Sequence, residues 1–354
     1  MIASSSSVER PPAPATGAAP RVSIIMPTYQ RATVLTEVVH DVLAQDFSDF
    51  ELLVLNDGSI DGTDAAMRKI TDPRLRYMRP GRLGIPAILN EGFRHVRGEY
   101  LIIMHDHDGY ARDMLSSFVR VLDKNPNVGF VFSGLVLCDS EGKAEVRRDV
   151  HNFPPITPGL RFLREQYLPR VDSCTSVWTL IRRSLLGDHF LDPAVGGAAD
   201  VELWHRLCTL GDVAYVNRPL VRMRGRDPKS QFFLSEAELL CRILRGKQKY
   251  LRYAVDDQAR QKALHVWRRA ADRAVFSNLY KCFRARNHAA RPMIGVLAGE
   301  WGGIRARFAL GMAETLPRWV NVCMLGALRY AHQVRLKFTS PTKLVDTSVA
   351  QTTS

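Results

Sequence analysis

Three clusters of side chains in this sequence could do chemistry together. The first is Asp106-His107-Asp108, two carboxylates one residue apart directly behind the apolar run Tyr100–Met104. Carboxylate oxygens suit hard divalent cations such as Mg2+ and Mn2+. An ion held there can clamp a diphosphate and neutralise the charge that collects on a departing nucleotide. His105 and His107 leave a second option open, a His/Asp site for a transition metal. A solvated acidic turn has the same local composition, because such triplets are common.

The second cluster is Asn56-Asp57-Gly58-Ser59-Ile60-Asp61-Gly62-Thr63. A strand-terminal Asp can accept the N3–H of a uracil or a comparable donor on another base. Gly58 and Gly62 allow tight turns, and Asp61 or Thr63 can cap the next helix. Turn and cap chemistry alone would also account for the segment. The third cluster is Asp200-Val201-Glu202-Leu203-Trp204. Its first carboxylate either caps a helix or takes the proton of an attacking hydroxyl as general base, with Glu202 as the nearby competitor. The preceding Gly196-Gly197-Ala198-Ala199 suits a loop that closes over a ligand. Arginines in Arg222-Met223-Arg224-Gly225-Arg226-Asp227 could meet diphosphate oxygens or form a basic surface turn.

These clusters need elements to hold them. Apolar runs at Val22–Met26 (closed by Pro27), Glu51–Leu55, Leu75–Met78 and Tyr100–Met104 read as strands. Helical spacing appears over Thr36–Ala44, Thr63–Ile70 and Pro86–Val96. This alternation of continuous apolar strands with helices predicts a Rossmann-type, mostly parallel α/β sheet flanked by helices on both faces. Ligands bind beyond the carboxyl ends of such strands. Pro27-Thr28-Tyr29, Asn56-Asp57 and Asp106/Asp108 all stand at those ends. Further strands are expected at Val128–Leu137, Thr175–Ile181 and Val213–Met223, and a helix at Asp200–Leu210.

Taken in order, these residues resemble glycosyltransferase family 2, the large inverting group with the GT-A fold. The resemblance runs from Arg21 to Arg224. Val22 to Arg31 resembles the family's first strand and base-binding loop, and Leu53 to Thr63 its second strand and acidic loop. Gly84, Asn90, Gly92 and Gly98-Glu99-Tyr100 resemble the segment leading into the metal triplet, and Asp200 to Trp204 with Arg206-Leu207 the helix carrying the base. Each part is weak alone, whereas the full ordered set is highly specific. The resemblance implies a donor site of Pro27, Thr28, Tyr29, Arg31, Asp57, Asn90 and Asp106. Asp57 would meet the base, Thr28 and Tyr29 would line its pocket, and Asp106 would reach the ribose or the metal. Asp106 and Asp108 would hold Mn2+ or Mg2+, and Asp200 would be the general base. Departures stand at Asn56, Leu89, Gly109 and Ala199, where the family commonly has an acid, an Arg, a third acid and an acid.

The implied function is transfer of a sugar from a UDP-, GDP- or dTDP-sugar to a hydroxyl acceptor with inversion, in cell-surface polysaccharide or glycolipid synthesis. A metal-dependent phosphohydrolase would use the His/Asp tetrad and leave Asp200 without a role. A non-catalytic sugar-nucleotide-binding protein would need no base.

Composition narrows the setting. The chain of 354 residues carries a net charge of +13. Residues 231–354 hold 21 Lys+Arg and 8 Asp+Glu, so the whole excess lies there and the first 230 residues are balanced. Such a region favours an anionic partner. With Trp267, Trp301 and Trp319 in it, it reads either as an interfacial membrane surface suited to a lipid-linked acceptor or as a helical appendage on the catalytic domain. No recognition motif accompanies the charge, so nucleic acid is not expected. Six scattered cysteines without a CxxC pair read as reduced thiols of a cytosolic protein. No secretory h-region and no apolar stretch of spanning length occur, so a cytoplasmic location, peripheral at the inner face of the membrane, is expected. The expected organisation is a disordered leader over 1–20, a catalytic domain over 21–228, a helical basic region over 229–338 and a flexible tail over 339–354.

Overall fold

The computed structural model describes residues 19–139, 141–170, 178–188, 190–193, 199–225, 236–254, 256–285, 291–303, 306–307 and 309–311. The strands are β1 (Val22–Thr28), β2 (Phe50–Asn56), β3 (Leu75–Met78), β4 (Tyr100–Ile103), β5 (Gly109–Tyr110), β6 (Val128–Cys138), β7 (Glu145–Asp149), β8 (Ile156–Thr157), β9 (Leu180–Arg182) and β10 (Asp212–Met223). Helices α1 (Ala32–Leu43), α2 (Thr63–Met67), α3 (Ala87–His95), α4 (Met114–Lys124), α5 (Gly159–Phe162) and α6 (Ala199–Leu207) alternate with them. Beyond the sheet come α7 (Glu236–Gln248), α8 (Asp257–Ala285) and α9 (Arg291–Glu300).

The sheet order is β3-β2-β1-β4-β9-β6-β10-β5, with β7 paired to β6 and β8 to β10. The expected parallel order holds through β3-β2-β1-β4. Beyond β4 the sheet becomes mixed: β9 lies antiparallel to both β4 and β6, and β10 returns parallel to β6. Every residue of β2 is buried, as is all of β1 except Pro27, which is why both strands read as mainly apolar runs. Pro27 does not close β1; it lies inside the strand opposite Leu55.

One core lies between the sheet and its helices. Val38, Val39 and Val42 of α1 and Leu115, Phe118 and Leu122 of α4 pack against Ile24, Leu52 and Ile102. Helix α3 lies so close to β1 and β2 that a Cβ at Gly92 would come within 2.5 Å of Leu55 Cδ1. A buried polar cluster closes the opposite end of the parallel strands. Glu51 accepts hydrogen bonds from Ser23 Oγ (2.7 Å), the Arg97 backbone N–H (2.8 Å) and Arg76 Nη1 (2.6 Å). Burial alone would raise the Glu51 carboxyl, but the Arg97 guanidinium first and then these donors hold it below its ordinary value.

The chain divides into two compact units: residues up to Leu234 with Arg242–Trp267, and Ser235–Cys241 with Arg268 onward. Residues 242–267, assigned to the basic extension by sequence, group with the first unit. The second unit has its own small core of Ala271, Val275, Leu279, Ile294, Leu297 and Ala298. No helix among the described residues is long and apolar enough to cross a membrane. The apolar stretch Trp319–Leu328 and the tail after 338 lie outside the described residues.

Candidate active site

Parallel pairing brings the ends of β2, β1 and β4 side by side, and the loops leaving them build one site. The Asp57 N–H donates to Thr28 O (2.9 Å) and the Met104 N–H to Ile25 O (3.0 Å), which aligns the three loops. Gly58 then takes φ +83°, a turn that favours glycine. It leaves Asp57 buried, with its carboxylate accepting the backbone N–H groups of Leu83 (2.6 Å) and Gly84 (3.0 Å). Arg82 also donates to that carboxylate, and its guanidinium lies 3.8 Å from the centre of the Tyr29 ring. Arg82 is a residue the sequence reading missed. Its only local signal is the Gly81-Arg82-Leu83-Gly84 turn.

Asn56 stands where an acid is common, and its neighbours explain the exchange. Its Nδ2 donates to Asp64 Oδ1 (2.9 Å) and Tyr77 Oη (2.7 Å), while its Oδ1 accepts from the Ser59 N–H (2.7 Å). A carboxylate there could donate to neither and would face Asp64 charge to charge. The N-cap of α2 is Gly62, and Asp61 stands one residue before it. Asp61 accepts from the Thr63 N–H (3.1 Å) and from the Ala32 N–H (3.0 Å), tying α2 and α1 together at their starts.

The loop after β4 carries the densest chemistry. Asp106 and Asp108 are buried. Asp106 Oδ1 pairs with Arg31 Nη1 (3.1 Å) and His107 Nδ1 (2.8 Å). Asp108 accepts from the Arg224 backbone N–H (2.9 Å) and pairs with His105 Nδ1 (2.8 Å). The two imidazoles stack, with centroids 5.3 Å apart and planes 3° from parallel, and the Trp178 ring meets His105 edge-on. One ligand atom from each of His105, His107 and Asp108 lies within 4.8 Å of the others, a grouping able to hold a metal ion. Burial alone would raise both carboxyls. The His107 hydrogen bond and Arg31 outweigh it at Asp106, and the His105 hydrogen bond with both imidazoles outweighs it at Asp108, so both lie below their ordinary values.

Asp200 lies in the first turn of α6, which begins at Ala199, and is half-buried. Its competitor Glu202 is buried and accepts a hydrogen bond from Tyr250 Oη (2.6 Å). Trp204 packs on Phe130 with ring centres 5.7 Å apart, fixing the helix to β6. Of the two carboxylates, Asp200 is the more accessible. The glycines at 196 and 197, and Arg226 with Asp227, lie outside the described residues. Among the expected donor contacts, Thr28, Tyr29, Arg31, Asp57 and Asp106 share the strand-end loops. Asn90 does not join them. Its side-chain amide exchanges two hydrogen bonds of 2.9 Å with the Leu191 backbone.

The sequence profile of glycosyl transferase family 2 matches residues 23–190. An uncharacterized glycosyltransferase of Rickettsia typhi is 26% identical over 218 residues, 60% of this chain and 66% of that protein. This chain thus spans slightly less than two thirds of that relative. Among solved structures, residues 1–349 of S. aureus TarS in complex with UDP-GlcNAc align at a TM-score of 0.60 with 15% identity, over 89% of this chain and 92% of that one. The mannosyltransferase PcManGT of Pyrobaculum calidifontis, in complex with GDP-Man and Mn2+, aligns at 0.50 with 21% identity, over 93% and 90%. At such identities the structures speak to the fold, which is the GT-A fold. Profile, relative and fold agree with the order of motifs along the strands, and residues 23–190 of this chain are similar to glycosyl transferase family 2.

Proposed function

We propose that this chain transfers a sugar from a nucleoside-diphosphate sugar to a hydroxyl acceptor, with inversion and with help from a divalent cation. The observation that carries the reading is the convergence of Asp57, Asp106 and Asp108 at the carboxyl ends of neighbouring parallel strands, where ligands of such sheets bind. In this reading Asp57 and Tyr29 meet the nucleobase beside Thr28, and Pro27 shapes the strand end. Arg31 steadies Asp106, while Asn90 acts at one remove by fixing the Leu191 backbone to α3. Asp106 and Asp108 hold Mn2+ or Mg2+, an ion that supplies charge to the leaving diphosphate. Asp200 accepts the acceptor's proton during attack. The UDP-GlcNAc of the TarS structure and the GDP-Man and Mn2+ of the Pyrobaculum structure support a nucleotide-sugar donor and an ion.

The basic residues after 230 would place the protein at an anionic membrane surface, on the cytoplasmic side, where a lipid-linked acceptor is presented. A thermal-shift screen of UDP-, GDP- and dTDP-sugars with and without Mn2+ tests the donor claim. A donor at a hundredfold excess over its Kd should stabilise the native chain by about 2.7 kcal/mol. If no nucleotide sugar stabilises the chain while phosphate esters are hydrolysed, the phosphohydrolase reading replaces this one.

A further inference from the structure

The two histidines of the strand-end loop are arranged as a metal-binding pair of unequal members. His107 Nδ1 lies 2.8 Å from Asp106 Oδ1. An ionised carboxylate only accepts hydrogen bonds, so Nδ1 carries the proton and Nε2 keeps a lone pair. That Nε2 stands 4.0 Å from Asp108 Oδ1. The separation is too long for a hydrogen bond. A shared ion can bridge it, since two metal–ligand bonds of about 2.1 Å each span at most about 4.2 Å and a slight closure of the two groups brings them to an ordinary bond angle. Carboxylate–imidazole–metal relays of this kind fix the tautomer and orientation of the ligating ring. The other oxygen of the same carboxylate, Asp108 Oδ2, is held at 2.8 Å by His105 Nδ1. His105 therefore orients the carboxylate, and His107 Nε2 is left on the side where an ion could enter. The parallel stacking of the two rings keeps them in register.

We infer that the cation of this site is bound through a nitrogen, with His107 Nε2 and Asp108 Oδ1 as its protein ligands and Asp106 and His105 as positioning residues behind them. The inference rests on the proposed metal-assisted transfer and revises its donor set, with His107 in the place of Asp106. Imidazole favours borderline ions such as Co2+ and Zn2+, whereas an all-oxygen site favours Mg2+. The site thus takes a transition metal in preference to Mg2+. Asp106 Oδ1, already shared by Arg31 and His107, acts on the ion through the imidazole.

The test is pulsed EPR on the full-length chain loaded with Mn2+, alone and with UDP, alongside calorimetric titration with Co2+ and with Mg2+. The parent should show nitrogen coupling to the Mn2+ spin and bind Co2+ more tightly than Mg2+. His107→Gln should lose the coupling and most of that preference, and His105→Gln should keep the coupling. Asp106→Asn should weaken Co2+ binding by about 10–100-fold, as loss of an outer partner does. Bound Mn2+ without nitrogen coupling in the parent overturns the inference. So does coupling that survives His107→Gln, or a chain that binds no cation in either state. The parent spectrum needs no variant to fold. Sugar transfer with bound metal but no coupling sinks this inference alone, and nitrogen coupling without any turnover of a nucleotide sugar sinks the proposed function alone.

Discussion

At the scale of single residues, the proposed base contact of Asp57 would share its side chain with a structural contact. Its carboxylate holds the Arg82–Gly84 turn through two backbone N–H groups and a guanidinium. Alanine there would remove the turn's anchor along with any base contact. Asn is the sharper substitution, since it keeps one acceptor oxygen. Asp57→Asn should leave the melting temperature close to the parent's. It should weaken nucleoside-diphosphate binding by about 1.5–3 kcal/mol, the share of a hydrogen bond to a charged group. Calorimetry with UDP and GDP measures it, and parent-like affinity would reduce Asp57 to a turn residue. Asp57, Asp106 and Asp108 were legible because polar residues directly behind apolar runs have few reasons to be there. Arg82 was not legible. Its position over Tyr29 depends on two loops separated by more than fifty residues, and nothing in either loop announces the other. Asn90 fits the motif by spacing, yet its amide faces the Leu191 backbone, a partner that only the folded chain brings near.

At the scale of elements, the strands β1, β2, β3 and β4 fall within a residue or two of their apolar runs, and for β1, β2 and β4 the reason is that strands buried on both faces need near-continuous hydrophobicity. Strand β7, Glu145–Asp149, is largely exposed and polar and pairs antiparallel with β6. It left no periodic signal to find. The switch to a mixed sheet after β4 is likewise a matter of strand order, which local patterning does not encode. Helix α6 makes a prediction of its own. His205 is fully buried between the rings of Tyr167 and Tyr250, with centroids 4.9 and 5.3 Å away. Burial, then the charge of Lys247, pushes its pKa down to about 3 against the backbone oxygen of Val201, which favours the proton. The folded value lies below the ordinary 6.5, so the unfolded chain takes up the proton first. This contribution to stability is complete above about pH 6.5 and declines as the pH falls from there toward about 3, by up to about 1.4 kcal/mol per pH unit. Denaturant unfolding between pH 7 and 4 should therefore fall more steeply in the parent than in His205→Gln. Equal slopes would mean that the ring is not held neutral.

At the scale of the whole molecule, charge is segregated. The residues up to 230 are balanced and the rest carry the net +13. Composition made that asymmetry plain. Residues 242–267 group with the sheet-bearing unit. Tyr250 bonds Glu202, Lys247 Nζ donates to Tyr167 O (2.6 Å) and Trp267 Nε1 to Leu168 O (3.0 Å). These partners are scattered along the chain, so the grouping has no local signature. If the excess charge serves a membrane surface, the full-length chain should float with anionic liposomes at low salt and be released as the Debye length shrinks from about 30 Å at 0.01 M to about 8 Å at 0.15 M. A chain that ignores such liposomes at low salt has no electrostatic membrane surface.

The central claim is that this chain is an enzyme that uses Asp200 to activate an acceptor hydroxyl, and one substitution addresses it. Asp200→Asn keeps the size of the side chain and removes its ability to take a proton. The measurement is nucleoside-diphosphate release from the donor that stabilises the parent, with donor and metal affinity determined on the same samples. Binding should be unchanged and turnover lower by roughly 10²–10⁴-fold. Full turnover in Asp200→Asn, with loss in Glu202→Gln instead, would assign the wrong carboxylate; full turnover in both would contradict the mechanism.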